Sequence, residues 1–253
     1  MLGIRDYRRS LERSRQALEH RNRPDTFDLC GRTWDLLPGV FAPVYSPTTE
    51  FSLRLLGLDD PAAGGRTGSL LEIGCGTGVI AVAGALAGHD RVVAADINEA
   101  AVRNAVLNAR RHGVADRVRG AHGDLFDAIP PGERFDTVFW HSNYVLAPAE
   151  YRYRTMHERG YVDPGYATHR RFLTDAFGVL APGGTVLLHF SARGDLDTLS
   201  RVAGECGRGL RVVRGAVFRE GEYDVEHLLI EVTGTPRASG GCGGAEPPSG
   251  TGV

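Results

Sequence analysis

The chain has 253 residues, 24% of them charged and 42% hydrophobic, with a formal net charge of −2, which is an ordinary globular composition. All 29 basic residues are arginine, which excludes a pyridoxal Schiff base, a phosphate-loop lysine and a kinase-type lysine. The near-zero charge offers no general attraction to nucleic acid or to an anionic membrane.

The first 24 residues are polar and arginine-rich, without the apolar core of a secretory leader. Ile4, Tyr7, Leu11 and Leu18 recur near helical spacing, predicting an amphipathic helix over 3–20. Its arginines read as a solvated face, with a partner or nucleic-acid contact as the alternative. Two short runs, 26–30 and 33–37, flank Gly31–Arg32 and predict a hairpin. Thr49 is placed to cap a helix running from Phe51 to Leu58, and 59–68 reads as a turn-rich linker.

From residue 69 strands and helices alternate. Strands are expected at 69–74, 91–96, 117–121, 135–140, 184–190, 211–218 and 224–232, and helices at 78–88, 99–112, 167–180 and 195–206. This predicts an α/β fold, a doubly wound Rossmann-like sheet of about seven strands. The last two strands, joined only at Glu220–Gly221–Glu222, predict an antiparallel edge hairpin. Three parts follow: an N-terminal helix and hairpin extension on the substrate side (1–68), a catalytic domain (69–232) and a disordered Gly/Pro/Ser-rich tail (233–253). Cys30, Cys75, Cys206 and Cys242 form no CxxC pair or zinc spacing, and no run is long enough to span a membrane. A cytoplasmic protein without a metal or a membrane partner is expected.

The chemistry sits where strands end. Leu70–Gly78 is an apolar strand entering a loop with glycines at 74, 76 and 78, followed by a helix. Glycine lets a backbone bend and approach a ligand without a Cβ in the way. A dinucleotide fingerprint wants its third glycine or alanine at position 79, which is valine here. Glu72, two residues before Gly74, would repel a pyrophosphate and welcome an ammonium group. Asp96 ends the second strand, where a carboxylate can accept from ribose hydroxyls; Asn98 already serves as a helix cap there. Asp124 follows the third strand and can accept from an adenine amino group, with the Leu125 backbone N–H on a ring nitrogen. A plain turn residue is the alternative for Asp124.

Glu72, Gly74, Gly76, Gly78, Asp96 and Asp124, at the ends of three successive strands, together resemble the class I S-adenosylmethionine-dependent methyltransferases over residues 69–232. The resemblance implies S-adenosylmethionine as cofactor, its methionyl part against the glycine loop and its adenosine between Asp96 and Asp124. The loop after strand four faces the transferable methyl group in that fold. In the branch that methylates adenine or a protein glutamine amide it reads Asn-Pro-Pro-Tyr. Here it reads His141-Ser142-Asn143-Tyr144, so only Tyr144 matches. The stretch 39–50, proline-containing and ending in Thr49-Glu50, is similar to the glutamine-methylating branch of release factors and ribosomal proteins.

The altered loop implies a different acceptor. A small molecule with a nitrogen or oxygen nucleophile is the expected substrate, as in a biosynthetic pathway. A protein-glutamine or adenine acceptor and a non-catalytic cofactor-binding module are the alternatives. His141 is a candidate general base, orienting donor or packing residue. Asn143 is a candidate ligand for an acceptor carbonyl or amine, with holding the loop as the alternative, and Tyr144 completes the catalytic group. Tyr45, Thr49, Arg152 and Tyr166 are candidate substrate contacts, the last two from a Tyr- and Arg-rich segment, 151–171, suited to gripping an anion. A homodimer through the N-terminal elements is a further possibility.

Overall fold

The computed structural model describes residues 4–60 and 64–234. Helix α1 (Tyr7–Glu19) is capped by Asp6, which accepts from the Arg8 N–H. Hairpin β1 (Thr26–Leu29) and β2 (Arg32–Asp35) turns at Cys30–Gly31, both with positive φ, the twist a two-residue hairpin needs. The turn is one residue earlier than expected. Helix α2 (Thr48–Leu56) follows, with Pro47 as its flanking residue; Thr49 is therefore inside the helix and not its cap. Proline fixes φ for a helix start without needing a donor. Of the tail expected to be disordered from 233, Thr233 and Gly234 still belong to the last strand, and from 235 onward it lies outside the described residues.

The remaining elements are β3 (Ser69–Ile73), α3 (Val79–Leu86), β4 (Arg91–Asp96), α4 (Glu99–Arg111), β5 (Val118–His122), β6 (Phe135–His141), β7 (Leu146–Ala147), β8 (Asp163–Pro164), α5 (Ala167–Asp175), β9 (Leu180–Ser191), α6 (Leu196–Glu205), β10 (Arg208–Glu220) and β11 (Tyr223–Gly234). The main sheet has seven strands in the order β10-β11-β9-β6-β3-β4-β5. The five strands from β9 to β5 run parallel, and β11 and β10 are the antiparallel edge hairpin. Every residue of β3 is buried, as a central parallel strand covered on both faces must be. The short parallel pair β7–β8 was not legible in the pattern; it closes the inserted segment between β6 and α5.

Strand order reverses at β3, with β4 and β5 on one side and β6 and β9 on the other. Such a switch point leaves a crevice beyond the carboxyl ends of the strands. One apolar cluster, around Phe135, Trp140, Phe172 and Phe190, fills one face. The other joins Phe27, Trp34 and Leu53 of the N-terminal elements to Val79, Ile80 and Val82 of α3. This cover explains why α3 is apolar all round.

In α1 the expected stripe is displaced. Ser10, Ser14 and Ala17 are buried, while Leu18 is exposed. The helix rests its small residues on the inserted segment, where Ser14 Oγ and His157 Nδ1 are hydrogen-bonded at 2.8 Å. Among the described residues no helix is long and apolar enough to cross a membrane.

Candidate functional site

A cleft of about 220 Å³ lies over the carboxyl ends of β3, β4 and β6. Its floor is the glycine loop. Gly74, Gly76 and Gly78 all have positive φ. The loop is braced at three points: Cys75 N–H donates to Ala95 O (3.0 Å), Gly78 N–H to Cys75 O (2.7 Å) and Gly76 N–H to Asp96 Oδ2 (2.9 Å). A Cβ added at Gly76 would meet nothing within 4 Å, so that position opens on the cleft, which it lines.

Glu72 accepts from the Ala81 N–H at 2.8 Å, tying β3 to the first turn of α3. Burial pushes its carboxyl well above the ordinary value despite that bond. Asp96 accepts from Asn98 N–H (2.8 Å) through one oxygen and from Gly76 N–H through the other. Burial raises its carboxyl too, and the two backbone donors resist the shift. Asn98 caps α4 as expected, accepting from Ala100 N–H. Asp124 pairs with Arg171 at 2.8 Å, so this arginine braces the far end of the cleft. Leu125 adopts a positive φ and lines the cleft beside Asp124.

The other end of the cleft is walled by His141, Ser142, Asn143 and Tyr144. His141 stacks on His189 with ring centroids 4.4 Å apart. Burial, with help from His227, lowers its pKa to about 3. The imidazole is therefore neutral near pH 7, and a pKa that far below neutrality disfavours the general-base role. Asn143 uses its amide NH₂ on the carbonyls of Arg159 and Val162, both at 2.9 Å. Its Oδ1 is buried without a hydrogen-bond partner. Burial also raises the Tyr144 phenol, so it stays protonated.

The predicted substrate contacts divide. Thr49 lines the cleft. Tyr166 does not: it is fully buried, donates to Tyr144 O (2.7 Å) and accepts from Asp195 N–H (2.8 Å), a core post under the 141–144 loop. Arg152 is exposed, donates to the carbonyls of Ala149 and Tyr151, and lies outside the cleft. Tyr45 packs against His20 outside it as well. Of the Tyr- and Arg-rich segment, Tyr153, Arg159 and Tyr161 face the cleft. Ser10, Arg13, His157 and Arg193 also line it and were not anticipated. No spacing signals them, because they come from elements far apart in the chain.

The family described as ribosomal protein L11 methyltransferase (PrmA) matches residues 41–141, ending where the altered loop begins. A release factor glutamine methyltransferase of Bordetella pertussis is 32% identical over 223 residues, covering 85% of this chain and 74% of the relative. A ribosomal protein L11 methyltransferase of Desulforamulus reducens is 37% identical over 83 residues, covering 33% of this chain but only 26% of the relative. The fold is that of the L11 methylase of Lactobacillus delbrueckii subsp. bulgaricus, with a TM-score of 0.51 at 19% identity over 77% of this chain and 82% of that one. These relatives overturn the expectation of a small-molecule partner, since the acceptors in their names are a release factor and a ribosomal protein. With the Bordetella relative aligned along most of both chains, this chain belongs to the class I S-adenosylmethionine-dependent methyltransferases, in the branch that holds the glutamine methyltransferases of release factors and ribosomal proteins.

Proposed function

We propose that the enzyme methylates a side-chain nitrogen of a protein acceptor, a glutamine amide being the first choice. The observation that carries this is Asn143 Oδ1, a buried acceptor atom without a partner on the wall of the cleft. A buried carbonyl oxygen in that state is costly, and the N–H of a planar amide would satisfy it once a small shift of the loop uncovers the atom. Its own NH₂ is already held by Arg159 and Val162, so the orientation of Oδ1 is fixed before the acceptor arrives. The glutamine methyltransferase among the relatives supports the choice of amide.

The cofactor end fits S-adenosylmethionine on the residues present. The loop lacks side chains where Gly76 opens on the cleft, and the strand ends present Glu72, Asp96 and Asp124. Glu72 would face the methionyl ammonium, Asp96 the ribose hydroxyls, and Asp124 with the Leu125 N–H the adenine. When bound, the cofactor supplies a methyl group on a sulfonium, open to a nitrogen nucleophile that then loses a proton. This chain's part is to align that nitrogen and exclude water. Neutral His141 and protonated Tyr144 form the wall; neither carries a charge that would compete with the sulfonium.

The test is incubation with S-adenosylmethionine and purified release factors or ribosomal proteins, followed by tandem mass spectrometry. A gain of one methyl group on a glutamine side chain is expected. Methyl transfer only to adenine in RNA or DNA, or only to oxygen or carbon, would refute the reading.

A further inference from the structure

The charges in the cleft are segregated. Glu72, Asp96 and Asp124 lie at the cofactor end, and Arg13 and Arg193 line the acceptor end. These two arginines share one carboxylate, Glu220. Arg193 Nη2 lies 2.6 Å from Glu220 Oε2, and Arg13 Nη2 lies 3.8 Å from the same oxygen. The other Glu220 oxygen is engaged by His227 Nε2 at 2.7 Å. Two guanidinium groups against one carboxylate leave an excess positive charge on this wall. Arg193 is only 8% exposed, and its Nε is buried with no hydrogen-bond partner. A buried guanidinium N–H without an acceptor is a standing cost, and both arginines line the cleft, where an incoming anion would balance their excess charge.

We propose that the acceptor carries a carboxylate close to the nitrogen it presents, and that Arg13 and Arg193 seat it. This rests on the protein-acceptor reading above and adds its specificity. The wall then offers a matched pair of contacts: Asn143 Oδ1 for an N–H, and the arginine fork for a carboxylate. The carboxylate comes either from an acidic residue beside the target or from the end of the acceptor chain. Nucleic-acid phosphate fits less well, because Glu12, Glu19 and Glu158 lie among the basic residues of the elements around the entrance.

The test uses acetylated glutamine peptides in three forms: one with a glutamate beside the target and an amidated end, one neutral and amidated, and one neutral with a free C-terminal acid. Each is titrated calorimetrically into enzyme saturated with S-adenosylhomocysteine, then assayed for methylation with S-adenosylmethionine. One or both acidic peptides should bind about tenfold or more tightly than the neutral amide, and which of them does so identifies the source of the carboxylate. The gap should close to about twofold in Arg13→Gln, a half-exposed site whose loss leaves the fold intact, and should narrow in Arg193→Lys.

Equal affinity of acidic and neutral peptides for the wild type would overturn the proposal. So would a gap that survives both variants, an absence of binding by all three, or displacement of the peptides by an RNA oligonucleotide alone. Carboxylate-dependent binding without glutamine methylation would leave this inference standing and remove the amide reading. Methylation indifferent to the carboxylate would do the reverse.

Discussion

Two glycines of the same loop should fail in different ways when each is replaced by alanine. Gly78 has φ +77°, and a Cβ there would lie 2.5 Å from both Cα and Cβ of Ala105. Ala105 is fully buried in α4, so no flexible side chain can yield and the two helices must part. The left-handed backbone costs about 1–2 kcal/mol for an L-residue, and overpacking a core costs about 1–3 kcal/mol. Gly78→Ala should therefore lose about 2–5 kcal/mol of folding stability. Gly76 has φ +51° and open space where its Cβ would go. Gly76→Ala should lose only about 1–2 kcal/mol, but its methyl group enters the cleft and should weaken S-adenosylhomocysteine binding about tenfold or more. Urea unfolding followed by circular dichroism measures the first effect, and calorimetric titration of the folded protein measures the second. Equal stability losses in the two variants would refute the packing argument. Wild-type binding by Gly76→Ala would refute the assignment of the loop to the cofactor.

Three further outcomes follow from single contacts. Asp96→Ala removes the acceptor for both Gly76 N–H and Asn98 N–H; cofactor affinity should fall at least about tenfold, and unchanged calorimetric binding would contradict the role of that carboxylate. Asp163, fully buried, pairs with His169 Nδ1 at 2.6 Å and accepts from the Thr168 and His169 N–H groups at the start of α5. Asp163→Ala should cost about 3–5 kcal/mol in chemical denaturation, and a loss under 1 kcal/mol would place the pair with surface bridges. His141 has a folded pKa of about 3, below its ordinary 6.5. The unfolded chain therefore binds a proton between those values while the folded chain does not, so stability falls as pH drops below 6.5. Removing the group in His141→Asn should flatten the stability–pH slope between pH 6 and 4 by about 1.4 kcal/mol per pH unit. A rate limb near pH 6.5 that vanishes in this variant would restore the general-base role.

The part of the cleft formed by Glu72, the glycine loop, Asp96 and Asp124 was legible because it is local. An apolar run, a glycine loop and an acidic residue at a strand end are each contiguous, and the parallel sheet puts strand ends together without further information. The part lined by Arg13, His157 and Arg193 was not, because it is assembled from a distance. Ser14 and His157 meet across 143 positions, and Arg13 sits on a helix whose polar pattern reads as solvated. Local composition misled where it was richest. The 151–171 segment suggested a general grip by arginines, but Arg170 pairs with Glu205 and Arg171 with Asp124. Tyr166 went to the core, where a large ring whose hydroxyl is satisfied packs as well as phenylalanine.

The substituted loop is best understood by counting donors. A Pro-Pro pair contributes no backbone N–H and is stiff by covalent geometry. Ser142 and Asn143 in its place add backbone and side-chain donors, which a buried loop must satisfy. Ser142 meets this with both its N–H (3.3 Å) and its hydroxyl (2.9 Å) on His189 O, fixing the loop to β9. Asn143 meets it through Arg159 and Val162, fixing the loop to the inserted segment that carries His157 and supports α1. Rigidity that prolines would have supplied locally is supplied here by ties to two distant elements. Arg13 and Arg193 line the same cleft, tied to Glu220. Prolines at 142 and 143 would remove the Ser142 and Asn143 ties, and should therefore loosen the inserted segment.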